Sequence, residues 1–298
     1  MSTLPYVLLD VFTDRVFGGN QLAVFVHREP LDPRQMQAIA RELNLSETVF
    51  AEPIEAGRRW RLRIFTPAME LPFAGHPTVG AAIALDHLGD CDGTHPIAFE
   101  EGVGTVHIEF SRRDTGALVA TLDSPRIPVP VPAIPKQSQL ASLLGLYPKD
   151  LGPDAASAWT AGVPYTFIPV VDRATLSSVR FDTQVWRDVL SNSDAPHVIA
   201  YTFDADANDL VHVRMFAPLM GIPEDPATGA AAAALAGLLA DRAGLQDGDF
   251  RYRIRQGDDM GRPSGILLSI TMEDAAIQRV RVGGEAVIIG RGQLELPE

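Results

Sequence analysis

Residues 61–82 read RLRIFTPAMELPFAGHPTVGAA and residues 212–233 read HVRMFAPLMGIPEDPATGAAAA, so the chain says nearly the same thing twice, half its length apart. Arg63, Phe65, Pro67, Met69 and Pro72 recur as Arg214, Phe216, Pro218, Met220 and Pro223, each 151 positions on. A repeat of this length predicts a duplicated domain. After the last matched proline the best overlay slips to an offset of 149, which sets His76-Pro77 on Asp225-Pro226 and Gly80-Ala81-Ala82 on Gly229-Ala230-Ala231.

Each copy reads as a strand, a proline-bearing loop and a helix. In the second copy Asp225 precedes Pro226 at the helix start, the helix runs from Ala227 to about Asp241, and Gly244 lies just beyond it. In the first, Pro77 to Leu88 behaves alike and Gly89 ends it. A helix that is apolar on all sides must be enclosed on all sides. The expected fold is therefore α+β: two pseudo-symmetric units, each a curled, mostly antiparallel sheet around its own central helix.

Outside the repeat, Tyr6 to Phe12 and Leu22 to Val26 read as strands joined by the turn-forming run Asp14–Asn20. A helix follows over Asp32 to Leu43, with Asp32 as cap, Pro33 where its missing donor costs nothing, and Met36, Ile39, Ala40 and Leu43 on one face. Glu47 then opens a strand toward Phe50. Pro125, Pro128, Pro130, Pro132 and Pro135 mark residues 126–135 as the linker. The expected division is an N-terminal half, 1–125, completed by a returning strand at about 286–298, a C-terminal half, 126–285, and an active-site cleft between them.

The 298 residues, 46% of them apolar, suffice for two cores. A net charge of −13 without a run of Lys or Arg argues against a nucleic-acid partner. The longest apolar stretch, Ala230 to Ala240, is about half of what a bilayer requires. With one cysteine and no signal-peptide layout at the start, a soluble cytoplasmic protein is expected.

The seven histidines show no ligand spacing, no Walker sequence is present, and Gly102-Val103-Gly104 lacks the third glycine of a dinucleotide fingerprint, so neither metal nor cofactor is expected. Cys91 sits among Asp90 and Asp92, which would raise its pKa and leave the thiol unactivated. If the two halves face each other, two positive helix ends meet and suit a small carboxylate. Taken singly, Asp225 reads as a helix cap, His76 as a loop histidine and Glu47 as a surface glutamate. Against the last reading, Leu45 and Val49 could desolvate the Glu47 carboxyl and fit it for acid/base work.

Several stretches, taken together, resemble the PhzF family of phenazine-biosynthesis-like proteins: Gly18-Gly19-Asn20-Gln21-Leu22-Ala23-Val24, Asn44-Leu45-Ser46-Glu47-Thr48, Phe65-Thr66-Pro67, Ala74-Gly75-His76-Pro77-Thr78, Glu224-Asp225-Pro226-Ala227-Thr228-Gly229, Gln256-Gly257 and Met260-Gly261-Arg262-Pro263-Ser264. The resemblance implies the diaminopimelate-epimerase fold and a cofactor-independent isomerase that moves a proton within a substrate such as trans-2,3-dihydro-3-hydroxyanthranilate. By the same resemblance Glu47 takes and returns the proton, with His76 and Asp225 polarising or relaying. Asn20, Ser46, Gly75, Thr78, Gly229 and Ala230 then bind the substrate and its carboxylate. A homodimer is the expectation the family carries. Ala74, Pro77 and Ala230 depart from the phenazine enzyme and leave the substrate open.

Two other readings stand beside this one: a small-molecule-binding or regulatory protein on the same fold, and another lyase or isomerase reaction through Glu47. The thiol epimerases that share the fold need two cysteines at the helix starts. Ala74 and Pro226-Ala227 stand there, and Cys91 cannot serve twice.

Overall fold

The computed structural model describes residues 2–132 and 135–296. The chain divides into two compact units, Met1–Pro125 with Gly283–Glu298, and Arg126–Val282. Residues 133 and 134 of the proline-rich stretch, and 297 and 298 of the returning segment, lie outside the described residues.

The first unit contains β1 (Ser2–Val11), β2 (Asn20–Val26), α1 (Pro33–Leu43), β3 (Glu47–Glu55), β4 (Arg59–Phe65), β5 (Glu70–Leu71), α2 (Gly75–Leu88), β6 (Ile97–Glu101), β7 (Gly104–Arg112) and β8 (Leu118–Asp123). The terminal strand, Ala286–Leu296, runs antiparallel to β1 along its whole length. Strands β1, β2, β3, β4, β6, β7 and β8 follow it in order, with β5 hooked onto β4. Two neighbours are parallel, β2 with β3 and β4 with β6, because α1 and α2 respectively carry the chain back between them.

Helix α2 packs against β1, β2, β3, β8 and the terminal strand. These come from opposite ends of the strand order, so the sheet must curl around it. Gly75 to Leu85 are buried without a break, which fits a helix with no polar face. Gly80 sits where a Cβ would come 2.5 Å from Leu22 and 2.7 Å from Val11, so its bare backbone lets helix and sheet approach. On the other face α1 lays Met36, Ile39 and Ala40 over Phe25, Phe50 and Phe65. Tyr6, Phe25, Phe50 and Phe65 form a row of ring contacts 5.0–5.6 Å apart across β1 to β4.

The second unit repeats this plan with β9 (Val129–Pro130), α3 (Gln137–Leu143), β10 (Ser157–Thr160), β11 (Pro164–Pro169), α4 (Arg173–Ser178), α5 (Thr183–Val189), β12 (His197–Phe203), β13 (Leu210–Ala217), β14 (Ile222–Asp225), α6 (Gly229–Ala243), β15 (Gly248–Gln256), β16 (Ser264–Glu273) and β17 (Ala276–Gly284). Again two neighbours are parallel, β11 with β12 and β13 with β15, and β14 hooks onto β13 as β5 does onto β4. Helix α6 packs against β9, β10, β11 and β16, and Ala231 to Ala240 are buried. The outer face is covered by α3, α4 and α5, with Leu140, Leu176 and Trp186 packed toward Phe216. Both central helices end on left-handed glycines, Gly89 (φ 77°) and Gly244 (φ 56°).

The strand pairings fix the register of the duplication, and it differs from the sequence overlay. Ile64 and Met215 keep the 151 offset, and their partners on the hooked strands are Leu71 and Asp225. The offset after the loop is therefore 154, since the second copy holds extra residues in the 3-10 turn Pro218–Met220. The helix starts agree: Ala74 is the N-cap of α2 and Thr228 that of α6. His76 thus corresponds to Ala230, and not to Asp225. The overlay at 149 fails because it matched short alanine- and proline-rich strings across a loop whose length differs between the copies.

The helix limits move in the same sense. Helix α2 begins at Gly75 rather than Pro77 and α6 at Gly229 rather than Ala227, so Asp225 ends a strand and the N-cap of α6 is Thr228. The proline-rich stretch is more than a link, since Val129–Pro130 pairs with Trp159–Thr160. Among the described residues no helix is long and apolar enough to cross a membrane.

Candidate active site

In the first unit three residues expected from the sequence are brought together by three separate elements. Asn20 opens β2, Glu47 opens β3, and His76 stands in the first turn of α2. The His76 ring lies between the other two, with Nδ1 3.3 Å from Asn20 Nδ2 and Nε2 3.2 Å from Glu47 Oε2. All three residues are buried, so Glu47 is not the surface glutamate its charge alone suggests. The Asn20 amide and the His76 ring meet in a buried hydrogen bond at Nδ1, whose direction follows the ring tautomer.

Burial lowers the pKa of His76 to about 3 against a weaker opposing bond to the backbone of Gln21. The ring is neutral at physiological pH. It can polarise a carboxylate but is a poor proton acceptor. Gly19 sets the approach: its φ is +60° and a Cβ there would strike the Val11 carbonyl, so the backbone before Asn20 can only be glycine.

Gly75 and Thr78 share the first turn of α2, and the N-cap Ala74 offers no side chain to the turn's N–H groups. The Thr78 hydroxyl lies 2.8 Å from the Ala74 carbonyl and 2.8 Å from Glu101 Oε1, so it is engaged within its own unit. Ser46 is half-buried, immediately before Glu47.

In the second unit Asp225 ends β14. The Thr228 hydroxyl donates to Asp225 Oδ2 at 2.5 Å, and Gln256 Nε2 donates both to the Asp225 carbonyl (2.7 Å) and to Thr228 Oγ1 (2.9 Å). The Thr228 N–H returns a bond to Gln256 Oε1 at 3.2 Å. Gly229 and Ala230 form the first turn of α6, and again no side chain caps that turn. By contrast α1, α4 and α5 are each capped by an aspartate, Asp32, Asp172 and Asp182. The two central helices thus differ from these three in having no N-cap side chain bonded to their first-turn N–H groups, an arrangement suited to an anion.

Sequence reasoning quoted Thr228 and Gln256 within motifs but gave them no role, and it did not mention Glu101. The signal for Gln256 was Gly257, whose φ of +76° and close approach to the Pro226 carbonyl, 2.7 Å from a Cβ, mark a forced turn. At Cys91 the thiol pKa is pushed up to about 11; the direction is the one expected, but burial outweighs Asp86, Asp92 and Asp90 as its cause.

Comparison with known proteins identifies the family. The model of the phenazine biosynthesis-like protein family, PhzC-PhzF, matches residues 9–292. An uncharacterized isomerase of Mesorhizobium japonicum is 40% identical over 301 residues, covering 99% of both chains. The trans-2,3-dihydro-3-hydroxyanthranilate isomerase of Pseudomonas fluorescens is 35% identical over 291 residues, covering 98% of this chain and 99% of its own. Among solved structures, a phenazine biosynthesis protein of the PhzF family from Bacillus anthracis superposes with a TM-score of 0.88 at 23% identity, covering 99% of this chain and 100% of that one, which speaks to the fold. With its family model spanning nearly the whole chain and its relatives matching end to end, the protein belongs to the PhzC-PhzF family of phenazine biosynthesis-like proteins.

Proposed function

We propose that the protein is a PhzF-type isomerase that moves a proton within a small cyclic or unsaturated amino or hydroxy acid resembling trans-2,3-dihydro-3-hydroxyanthranilate. The observation that carries this reading is the buried Glu47 carboxyl 3.2 Å from the neutral His76 ring. A carboxylate there takes a proton from a C–H bond of the substrate, the bonding pair passes into the adjoining unsaturated system, and the same carboxyl returns the proton to another carbon. Nothing is gained or lost by the substrate, so the step calls for no electron carrier.

His76, too weak a base to compete for that proton, keeps its neutral ring 3.2 Å from the Glu47 carboxyl and shields it from water. In the first unit the first-turn N–H of Gly75 in α2 and the Ser46 hydroxyl are proposed donors to substrate oxygens, and in the second unit Gly229 and Ala230 begin a helix whose first turn is equally suited to an anion. Thr78, whose hydroxyl is engaged with Ala74 and Glu101, supports its turn instead. Asn20 orients the His76 ring, and Asp225 is assigned the second polar role, polarising or relaying.

The test is proton NMR in deuterated water with trans-2,3-dihydro-3-hydroxyanthranilate and a panel of small unsaturated amino and hydroxy acids. Wild type is expected to convert one of them or to place deuterium on a single carbon. Glu47→Gln is expected to lose about 10²- to 10⁴-fold in kcat while keeping its fold and ligand affinity. A glutamine variant with wild-type turnover would overturn the assignment, and tight binding without exchange would favour a binding role.

A further inference from the structure

The register of the duplication gives Glu101 a counterpart. Arg61 pairs with Glu100 across β4 and β6, and His212, which lies 151 positions after Arg61, pairs with Arg255 across β13 and β15. The residues that follow, Glu101 and Gln256, therefore hold equivalent places at the ends of their strands. The glycines after them agree: a Cβ on Gly102 would come 2.7 Å from Pro72, and one on Gly257 2.7 Å from Pro226. Pro72 and Pro226 are themselves equivalent at the 154 offset. In the second unit the strand-end residue is a neutral amide that braces the start of the central helix through Thr228. In the first unit the same place holds a glutamate, which touches the start of α2 through Thr78.

Proton counting decides the form of that glutamate. Thr78 Oγ1 has one hydrogen and lies 2.8 Å from two oxygens, Ala74 O and Glu101 Oε1. A threonine in the first turn of a helix readily donates to the carbonyl four residues back. Once it does, the contact with Glu101 holds a hydrogen only if Glu101 supplies it; two bare oxygens at that distance repel. The other oxygen, Oε2, is buried and has no hydrogen-bond partner, a place that would leave a negative charge unsolvated.

We propose that Glu101 is carried as a neutral carboxylic acid that donates to Thr78 Oγ1, a positioning residue that does for the Ala74–His76 turn what Gln256 does for Asp225 and Thr228. Burial independently raises its pKa to about 8, opposed by the bond to Thr78. The charged groups around it are engaged elsewhere. On β6 Glu100 is held by Arg59 and Thr105, and on β4 and β5 Arg63 is paired with Glu70. On α2 the neutral His76 ring faces Asn20 and Glu47, while on β7 Gly104 lies opposite Glu101 and His107 lies opposite Ala98.

The test compares wild type, Glu101→Gln and Glu101→Ala, and its first two readouts need no substrate. The infrared carboxylic-acid C=O band at neutral pH should be lost in Glu101→Gln, and in wild type it should fade as pH passes about 8. In urea unfolding, Glu101→Gln should gain on wild type as pH rises from the ordinary 4.5 to about 8 and then hold its lead. Across that window the folded wild type keeps a proton that its unfolded chain releases, so wild-type stability falls with pH. No acid band, or a glutamine variant less stable than wild type with no such gain, would overturn the proposal.

The third readout rests on the isomerase reading. Once a Glu47-dependent conversion is in hand, Glu101→Gln should keep wild-type kcat/KM at pH 7 and lose the alkaline fall near pH 8, while Glu101→Ala should lose tenfold or more. Equal loss in Gln and Ala would refute the positioning role. Failure of the isomerase reading alone would leave the infrared and unfolding results to decide.

Discussion

Arg63 with Glu70 and Arg214 with Glu224 are the same bidentate pair in the two copies, each stacked over a phenylalanine, Phe65 at 5.2 Å and Phe216 at 5.3 Å. Their surroundings differ. Arg63 keeps 26% of its side-chain surface and Glu70 42%, whereas Arg214 keeps 10% and also donates to the carbonyls of Leu176 and Val179. The loops that follow diverge in the same direction. Around Asp225 the hydrogens of Thr228 and Gln256 are spent on named acceptors, while the first copy gathers two buried ionisable residues, Glu47 and His76, and a half-buried one, Glu101, whose Oε2 is buried. The two copies thus differ in what their loops hold: polar residues bonded to one another in the second, ionisable side chains set against a central helix start in the first.

The sharpest way to break this comparison is at the arginines. Arg214→Met should cost about 3–5 kcal/mol, because it strands a half-buried carboxylate and two carbonyls. Arg63→Met should cost no more than about 1 kcal/mol, as for other exposed pairs. Urea unfolding of the two variants at pH 7 reads both values, and equal costs would end the distinction. A smaller effect is expected from His76. Between the ordinary 6.5 and about 3 the unfolded chain binds a proton there that the folded protein excludes, so acidification across that window removes stability, on the order of a few kcal/mol in all. His76→Gln should flatten that part of the stability curve relative to wild type; parallel curves would mean that the ring titrates normally. Thr228→Val, which keeps shape but removes one donor to Asp225 Oδ2 and one acceptor of Gln256, should cost about 1–3 kcal/mol by thermal unfolding.

What the sequence made legible was local. The glycines after the central helices, the Asp32 cap, the apolar faces of α2 and α6 and the repeat itself are written in neighbouring residues, and each matches the fold. The burial of Glu47 is not local. It depends on β3 lying beside β2 and on α2 crossing beneath, contacts made by residues about thirty positions away. The pairing of the two copies was misread because the overlay could not see that β14 pairs with β13 three residues later than β5 with β4. Gln256, quoted only within a motif, received no role and Glu101 went unmentioned for a related reason: a lone polar residue at a strand end declares itself only when its distant helix partner is known.

The pairing of the terminal strand with β1 also orders events during synthesis. Strand β1 cannot gain that neighbour until Ala286–Leu296 has left the ribosome, after every residue of the second unit. The second unit, a continuous segment, can therefore close first, while β1 waits with an open edge through the translation of more than half the chain. Nascent chains paused before residue 286 should resist protease over the second unit and remain open to it at β1.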